Sequence, residues 1–397
     1  MRSNFNKKII VFIIIFLFFE VSFIEGISAS NQIQSTTYHE KTIETDGDDF
    51  DEEIMNYMEQ AHMPSLSACI IKNNSVLWSK GYGYADIYKG VEATENTIYL
   101  AASLTKTITA TAVMQLWEQG LFDLDDDVNH YLPFSLRNPN YPDEPITFRM
   151  LLAHHSSLSS GEISLYIYFT ILRLPIEFLE QYLVPGGLFY SPNHWSDIPP
   201  GEQVLYSSIG YEVLGYLVKL LSGQSFDKYC KEHIFEPLAM KKTSFHKNYF
   251  DINDLARPYI WILNSTYLPL VNYKDWNYAA GGIRTSVMDL SHFLIATMNG
   301  GVYNNYRILE EETIQLMRTR QYPGSYGLGW RISGRYSNNS FGHSGGMPGA
   351  LAYMYYYLNE NTGIIFFTNQ YPLVYNYDDI RSYFNIVWLL NQKADEL

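Results

Sequence analysis

The chain has 397 residues, of which 47% are hydrophobic, and this length and composition suffice for one large domain or for two lobes. Its formal net charge of −15 at pH 7 argues against nucleic acid and anionic membrane surfaces as partners. The two cysteines, Cys69 and Cys230, permit at most one disulfide, so the chain is not a disulfide scaffold. Whether they pair is left open by the sequence.

The first 30 residues have the composition of a secretory signal peptide. Three basic residues precede an apolar stretch from Ile9 to Phe19, and small residues follow at 28–30. The stretch is shorter than the ~20 residues of an ordinary membrane span, although an uncleaved signal anchor is an alternative because residues 21–24 extend the apolar run. We therefore expect a secreted or extracytoplasmic protein that is not stably inserted in a membrane after signal cleavage.

The C-terminus reads Ala394-Asp395-Glu396-Leu397, which is one residue away from the tetrapeptide that returns proteins to the endoplasmic reticulum. In a eukaryotic host it would place the protein in the lumen of that compartment. The alternative is an acidic helix end, which the sequence slightly favours because nothing in it identifies a eukaryotic host.

Residues 31–48 are polar and acidic and predict a disordered linker. A short helix should follow and end near Met63-Pro64. Ser65 to Ile71 and Val76 to Ser79 then predict a β-hairpin around two asparagines. Gly81 and Gly83 are expected to turn the chain toward the next helix.

The run from Ser103 to Gln119 predicts a helix that Gly120 terminates. Its apolar stripe and its many threonines, which are poor helix formers, imply that tertiary packing holds the helix and buries it. Ser103 would lie in the first turn, where backbone N–H groups favour negative charge, and Lys106 would lie on the same face. A buried lysine loses its proton more easily, so Lys106 is a candidate base for the Ser103 hydroxyl.

The Ser-x-x-Lys pattern also occurs at Ser225–Lys228 and at Ser244–Lys247. The second copy leads into a charged run and the third lies in a polar connection. Only the first copy is followed by a run with few charges and an apolar stripe. We therefore expect chemistry at the first copy alone.

Adjacent histidines follow a predicted helix from Ile146 to Leu152 and invite a metal interpretation. His154 and His155 have no third ligand at helical spacing, and the pattern His-Glu-x-x-His is absent from the sequence. We expect neither a metal nor a cofactor.

Alternating patterns return in the last quarter of the chain. Strands are predicted at Tyr326 to Ile332 and Ser340 to His343, a hairpin from Leu351 to Thr368, and a final helix from Asp378 to Leu390. With the strands near residue 70, these elements predict an α+β fold in which both chain ends build one antiparallel sheet flanked by helices. We expect one domain at 49–395, with a sheet lobe at about 49–100 and 280–395 and a mainly helical lobe inserted at about 101–279.

A second serine motif competes with the first. Gly342-His343-Ser344-Gly345-Gly346 matches the nucleophile elbow Gly-x-Ser-x-Gly, which requires a strand, a sharp turn and a helix, with an acid and a histidine downstream. Here the motif leads into another strand, and no histidine follows His343 in the sequence. The elbow interpretation fails on its own requirements.

Three motifs in one order carry a family resemblance: Ser103-x-x-Lys106, Tyr206-Ser207-Ser208 and His343-Ser344-Gly345. Together they resemble the serine β-lactamase and penicillin-binding-protein superfamily, most closely its class C-like branch. That branch contains β-lactamases, D-alanyl-D-alanine carboxypeptidases, D-aminopeptidases and carboxylesterases. The likeness runs from about residue 50 almost to the C-terminus.

The resemblance implies a role for each matching position. Ser103 would be the nucleophile and Lys106 its proton acceptor. Tyr206 would be a second acid/base group, its phenolate favoured by Lys106 and His343, and His343 would orient substrate and Tyr206. The remaining positions would bind substrate or its oxyanion: backbone N–H groups of Ser103 and Gly346 for the oxyanion hole, and Ser208, Ser344 and Gly345 for substrate.

Two positions depart from the family pattern. Ser208 stands where the family usually has asparagine, and a hydroxyl has fewer donors and less reach than an amide. His343 stands where many relatives have lysine. We therefore expect a secreted serine hydrolase that cleaves an amide or an ester, an esterase or peptidase of this family. A true β-lactamase or D-Ala-D-Ala carboxypeptidase is the alternative. The alternative of another class is a non-catalytic protein that binds peptides or cell-wall fragments.

Overall fold

The computed structural model describes residues 47–159, 178–262, 266–272, 278–333, 340–371 and 377–397. The predicted signal peptide lies outside the described residues, as does nearly all of the predicted linker. None of the described helices is long and apolar enough to cross a membrane.

Thirteen strands occur in the described part of the chain, and seven of them form one sheet. In chain order the strands are β1 (Ser65–Lys72), β2 (Ser75–Asp86), β3 (Val91–Glu92), β4 (Tyr99–Leu100), β5 (Tyr259–Ile262), β6 (Thr266–Pro269), β7 (Arg284–Thr285), β8 (Val302–Tyr303), β9 (Tyr306–Arg307), β10 (Arg331–Ser333), β11 (Ser340–Met347), β12 (Ala350–Tyr357) and β13 (Thr362–Thr368). The large sheet has the order β10-β11-β12-β13-β1-β2-β3, and its neighbouring strands are antiparallel.

The sheet order confirms the predicted fold class. Strand β1, near the start of the domain, pairs with β13, near its end, from Leu66 opposite Thr368 to Lys72 opposite Thr362. Both strands are almost fully buried because layers cover both faces of the sheet at this point. The β1–β2 hairpin turns at Asn73 and Asn74, whose positive φ angles of 51° and 61° suit a two-residue turn.

Ten helices occur in the described residues. They are α1 (Gly47–Gln60), α2 (Thr105–Glu118), α3 (Phe148–Leu152), α4 (Leu179–Leu183), α5 (Ser208–Ser222), α6 (Phe226–Cys230), α7 (Tyr278–Gly281), α8 (Val287–Met298), α9 (Glu311–Met317) and α10 (Tyr377–Glu396). The last helix is longer than expected, since it continues to Glu396. The predicted strand before β11 is shorter than expected, since only the last two residues of the expected stretch fall in β10 (Arg331–Ser333).

The helices cover the sheet in two layers. Helices α1 and α10 pack together on one face, where Ile54, Leu66, Phe366 and Ile386 share a buried cluster. Helix α8 packs on the other face against β1 and β13. There a larger cluster continues from the sheet into the helical lobe built on α2 and α5, which contact each other. The site described below lies at this junction.

The expectation that Gly81 and Gly83 turn the chain is wrong. Both glycines lie within β2, which continues to Asp86. A Cβ on Gly81 would meet the backbone of residues 93–94 at 2.4 Å, and one on Gly83 would meet Pro64 O at 2.2 Å. These glycines serve close backbone contacts, which the sequence pattern does not distinguish from turns.

Both cysteines are buried and unpaired. Cys69 lies in the central strand β1, whereas Cys230 ends α6 in the helical lobe. This settles the pairing that the sequence left open. The thiols behave as small core side chains, and burial raises the pKa of both.

Candidate active site

Ser103 lies just before the observed helix and not within its first turn as predicted. It is the middle residue of a 3₁₀ turn, Ala102–Leu104, and α2 begins at Thr105. Ala102 has a φ of 46°, an uncommon left-handed conformation for a residue with a side chain. Two hydrogen bonds of the Thr105 hydroxyl fix this turn, because it donates to Ala102 O at 2.7 Å and accepts from Ile283 N at 3.1 Å.

Lys106 has no exposed surface, although it is among the largest buried side chains. Its Nζ contacts three uncharged oxygens: Ser103 Oγ at 3.2 Å, Ser208 Oγ at 3.2 Å and Ala280 O at 2.8 Å. A neutral amine has two N–H donors and one lone pair. It can therefore donate to the carbonyl and to Ser208 while it accepts the hydroxyl proton of Ser103.

Burial separates this Ser-x-x-Lys copy from the other two. Lys228 is 58% exposed and pairs with Glu232, one turn along. Lys247 lies in a short 3₁₀ helix in a connection, partly exposed. The expectation of a buried lysine at the first copy is confirmed.

Tyr206 precedes α5 and is half-buried at the mouth of the site. The ring centroid lies 4.9 Å from Lys106 Nζ and 6.2 Å from the centroid of the His343 ring. Its place is set by the helix start, because Ser207 is the N-cap residue and accepts from Gly210 N at 3.2 Å. The structure thus brings together the serine, lysine, tyrosine and histidine singled out in the sequence.

His343 lies on β11 and is buried and neutral. Its Nδ1 is 2.6 Å from Ser344 O, and since a carbonyl only accepts, Nδ1 carries the proton and Nε2 is left as an acceptor. Burial, aided by the charge of Lys106, lowers the pKa of His343 to about 3. The expected support of a Tyr206 phenolate by positive charge on His343 is therefore wrong. The imidazole has only hydrogen bonding to offer.

The two glycines after Ser344 let β11 come close to the nucleophile. A Cβ on Gly345 would lie 2.3 Å from Ala101 O and 2.8 Å from Ser103 N, and one on Gly346 would lie 2.4 Å from the ring of Tyr371. A side chain at Gly345 would push the strand away from the Ser103 turn, whereas one at Gly346 would collide with Tyr371. Ser344 and Gly346 are exposed along this strand, and the oxyanion role of the Ser103 and Gly346 N–H groups stays a prediction.

The strand also excludes a nucleophile elbow at Ser344. This residue lies within β11, paired opposite Tyr353 of β12, and the chain continues to another strand instead of a helix. The structure therefore agrees with the rejection of that motif.

His154 is a site residue whose position the sequence analysis did not use. Its Nδ1 accepts from Ser207 N at 3.1 Å, so the proton is on Nε2. Its ring lies 4.4 Å from that of Tyr206 and 4.8 Å from that of Tyr326, centroid to centroid. Burial and the charge of Lys106 hold the pKa of His154 well below its usual value. In the sequence, the stretch Leu151-Leu152-Ala153-His154 could have indicated that His154 belongs to the site.

His155 faces other partners than His154. It contacts Gly201 O through Nδ1 and stacks on Tyr322, so the adjacent histidines do not converge. Across the part of the chain that the structure describes, no three His, Cys, Asp or Glu side chains come together as a metal site.

With this geometry established, comparison with known proteins identifies the family. Residues 50–385 match the model of the Beta-lactamase family. The chain belongs to the Beta-lactamase family. Its assignment to a class C-like branch stays a prediction.

Relatives in sequence and structure agree with this assignment. Protein flp of Staphylococcus aureus (strain MW2) is 27% identical over 318 residues, which cover 79% of this chain and 61% of that protein. The chain thus spans about three fifths of that relative. The octameric penicillin-binding protein homologue from Pyrococcus abyssi has a TM-score of 0.72 at 28% identity, covering 87% of this chain and 78% of that chain.

A more distant structure shares the fold alone. The D-amino acid amidase from Ochrobactrum anthropi SV3, complexed with L-phenylalanine amide, has a TM-score of 0.67 at 22% identity. The alignment covers 87% of this chain and 99% of the amidase.

Proposed function

We propose that this Beta-lactamase-family protein is a serine hydrolase that cleaves an amide or an ester through an acyl-enzyme on Ser103. The observation that carries the proposal is the fully buried Lys106, whose amine lies 3.2 Å from the Ser103 hydroxyl. A serine hydroxyl is a weak nucleophile until a nearby base takes its proton, and this amine is within reach.

The proposed reaction begins with proton transfer from Ser103 to Lys106 as Ser103 Oγ attacks the substrate carbonyl carbon. The oxyanion of the tetrahedral intermediate would be bound by the N–H groups of Ser103 and Gly346, where each donor typically contributes ~3 kcal/mol. Tyr206 would give its proton to the leaving amine or alcohol as the scissile bond breaks and would take the proton held by Lys106 in its place. Water then attacks the acyl-enzyme and releases the acid, and Ser103 regains its proton.

The substrate side of the site favours an esterase or peptidase over a β-lactamase. Ser208 contacts Lys106 directly, so its hydroxyl is occupied by the catalytic amine. His343, being neutral, supplies no positive charge for a substrate carboxylate. β-Lactams and D-Ala-D-Ala peptides carry such a carboxylate, and hydrolysis of either is the alternative.

We further propose that the protein works outside the cytoplasm, delivered by the signal peptide at residues 1–30. The substrate would then be a small molecule or peptide in that compartment. Detection of the mature chain in the medium or in the endoplasmic reticulum, beginning near residue 30, would test this.

The central experiment labels the protein with a fluorophosphonate and measures its intact mass. One adduct is expected, located on Ser103 by peptide mapping. Ser103→Ala should remove the adduct and lower turnover on the order of 10⁴- to 10⁶-fold. Ser225→Ala, at the exposed Ser-x-x-Lys copy, is the matched control and should change neither. Unchanged turnover in Ser103→Ala would refute the proposal.

A substrate panel decides among the remaining activities. Nitrocefin, short-chain p-nitrophenyl esters and D-amino-acid peptides should be compared at one enzyme concentration, with the esters or peptides expected to react fastest. A non-catalytic binding protein is the second candidate, because positions 208 and 343 depart from the family motif. Peptide binding that survives Ser103→Ala, without covalent labelling of the wild type, would favour it.

A further inference from the structure

Glu212 is a buried carboxyl for which the reaction above has no use. It lies on α5, one turn after Ser208, and is 2% exposed. Burying a carboxyl group is costly unless hydrogen bonds compensate for the lost water. Glu212 Oε1 accepts from Ala280 N at 2.9 Å, in the short helix α7.

Ala280 also forms a hydrogen bond with the catalytic lysine. Ala280 accepts from Lys106 Nζ through its carbonyl at 2.8 Å, while its N–H donates to Glu212. Thr109 of α2 fixes the preceding residue, since its hydroxyl donates to Ala279 O at 2.6 Å. A chain of contacts thus leads from Glu212 through Ala280 to Lys106 and Ser103.

Glu212 and Lys106 also interact electrostatically. Burial raises the pKa of Glu212 to about 7, although Lys106 and backbone N–H groups oppose the shift. The other titratable side chains on α5 and on the segments that pack against it or line the site include His154, Tyr206, Tyr211, Cys230 and His343, which are buried or half-buried, and Arg149, Tyr216, Lys219, Asp227, Lys228 and Tyr229, farther along these helices. Burial keeps both histidines, Tyr211 and Cys230 uncharged near neutral pH.

We propose that Glu212 is a positioning residue that holds the Ala280 carbonyl against Lys106 and, through its negative charge, sets the pH at which Lys106 becomes a neutral base. The proposal rests on the proposed function, in which Lys106 takes the Ser103 proton. A carboxylate stabilises a nearby ammonium, so the ionised form of Glu212 keeps the proton on the lysine. When Glu212 is protonated, this stabilisation is lost and Lys106 gives up its proton at a lower pH.

The test is the pH dependence of fluorophosphonate labelling, as a second-order rate constant from pH 5 to 9. Glu212→Gln removes the charge and keeps an oxygen for Ala280 N. Its midpoint should lie up to about one pH unit below that of wild type, with labelling faster by up to about tenfold between pH 7 and the wild-type midpoint, and the two profiles should converge at pH 5, where Glu212 of the wild type is itself protonated. Glu232→Gln, on an exposed side chain, is the control and should leave the profile unchanged. Superimposable profiles for Glu212→Gln and wild type would overturn the proposal.

A second variant keeps the proposal testable if Glu212→Gln does not fold. Glu212→Asp keeps the charge but withdraws it by one methylene from Ala280. The midpoint should stay within a few tenths of a pH unit while the plateau rate falls about tenfold or more, since the lysine loses its fixed carbonyl. An unchanged plateau would overturn the positioning role. Failure of the proposed function is a different result, because wild type itself would then not be labelled.

Discussion

Lys106 is the residue on which the proposed chemistry of this protein depends most. Its amine is buried among uncharged oxygens, with the Ser103 hydroxyl at 3.2 Å. Lys106→Ala should lower the fluorophosphonate labelling rate by about 10²- to 10⁴-fold, because a positioned base contributes that much to proton transfer. Stopped-flow or quenched labelling with mass detection measures it.

Lys228→Ala is the control for this prediction. It removes the same residue type from the same motif at a side chain that is 58% exposed, so labelling should not change. Equal losses in both variants would mean that lysine replacement acts through the fold and not through the site.

At the residue scale, the sequence predicted which Ser-x-x-Lys copy has a buried lysine but not the protonation state of the side chains around it. The apolar stripe after Ser103 indicated burial, and burial is what separates Lys106 from the other copies. The neutrality of His343 was not predictable, since it depends on desolvation by chain segments distant in sequence. Glu212 was not predicted for the same reason, because the sequence around a single carboxylate in a helix does not indicate whether that carboxylate is buried.

At the element scale, α2 is held in place by side-chain hydroxyls as well as by packing. Thr109→Val should destabilise the protein by about 1–2 kcal/mol, because it removes the bond to Ala279 O across two elements and leaves a buried carbonyl with fewer donors. Urea unfolding measures this, and labelling should slow as α7 loosens around Ala280.

Thr111→Val is the matched control, one turn away from the site in the same helix. Its hydroxyl bonds only to Thr107 O within α2, where the backbone ladder still satisfies that carbonyl. The loss should stay below about 1 kcal/mol, with labelling unaffected. The hypothesis of a cross-element tie fails if the two valine variants behave alike.

Strands and helices with clear periodicity were predictable, and those defined by contacts were not. The alternating stretches gave β1, β12 and β13. The predicted turn at Gly81 and Gly83 was wrong because glycine occurs at close backbone contacts as readily as in turns. The 3₁₀ turn around Ser103 depends on Ala102 and Ile283, which no local pattern could connect.

For the whole molecule, buried His343 predicts loss of stability in acid. Its pKa is about 3 in the folded state and near 6.5 when unfolded, so between these values the unfolded chain binds the proton. The free energy of unfolding should therefore fall as the pH drops below 6.5, by up to about 1.4 kcal/mol per pH unit. Urea titrations of wild type and His343→Asn from pH 7 to 4 should diverge with this slope.

The control for the acid titration is His130→Asn, at an exposed histidine. Its stability curve should run parallel to that of wild type. Glu212 has the opposite effect on the free energy of unfolding. Its pKa is about 7 in the folded protein and near 4.5 in the unfolded chain, so its contribution to stability is lost as the pH rises from 4.5 to 7. A His343→Asn curve parallel to wild type would contradict a neutral imidazole at this position.

The pairing of β1 with β13 also bears on how the protein is made. While the chain leaves the ribosome, Ser103 and Lys106 emerge long before residues 340–347 and 362–368. During that time β1 cannot pair with β13, which has not yet been made. A nascent chain therefore carries the proposed nucleophile without β11, the strand that lies beside it in the folded protein. Hydrolytic capacity should arise only after synthesis is nearly finished, which would spare the host premature cleavage of its own esters and amides.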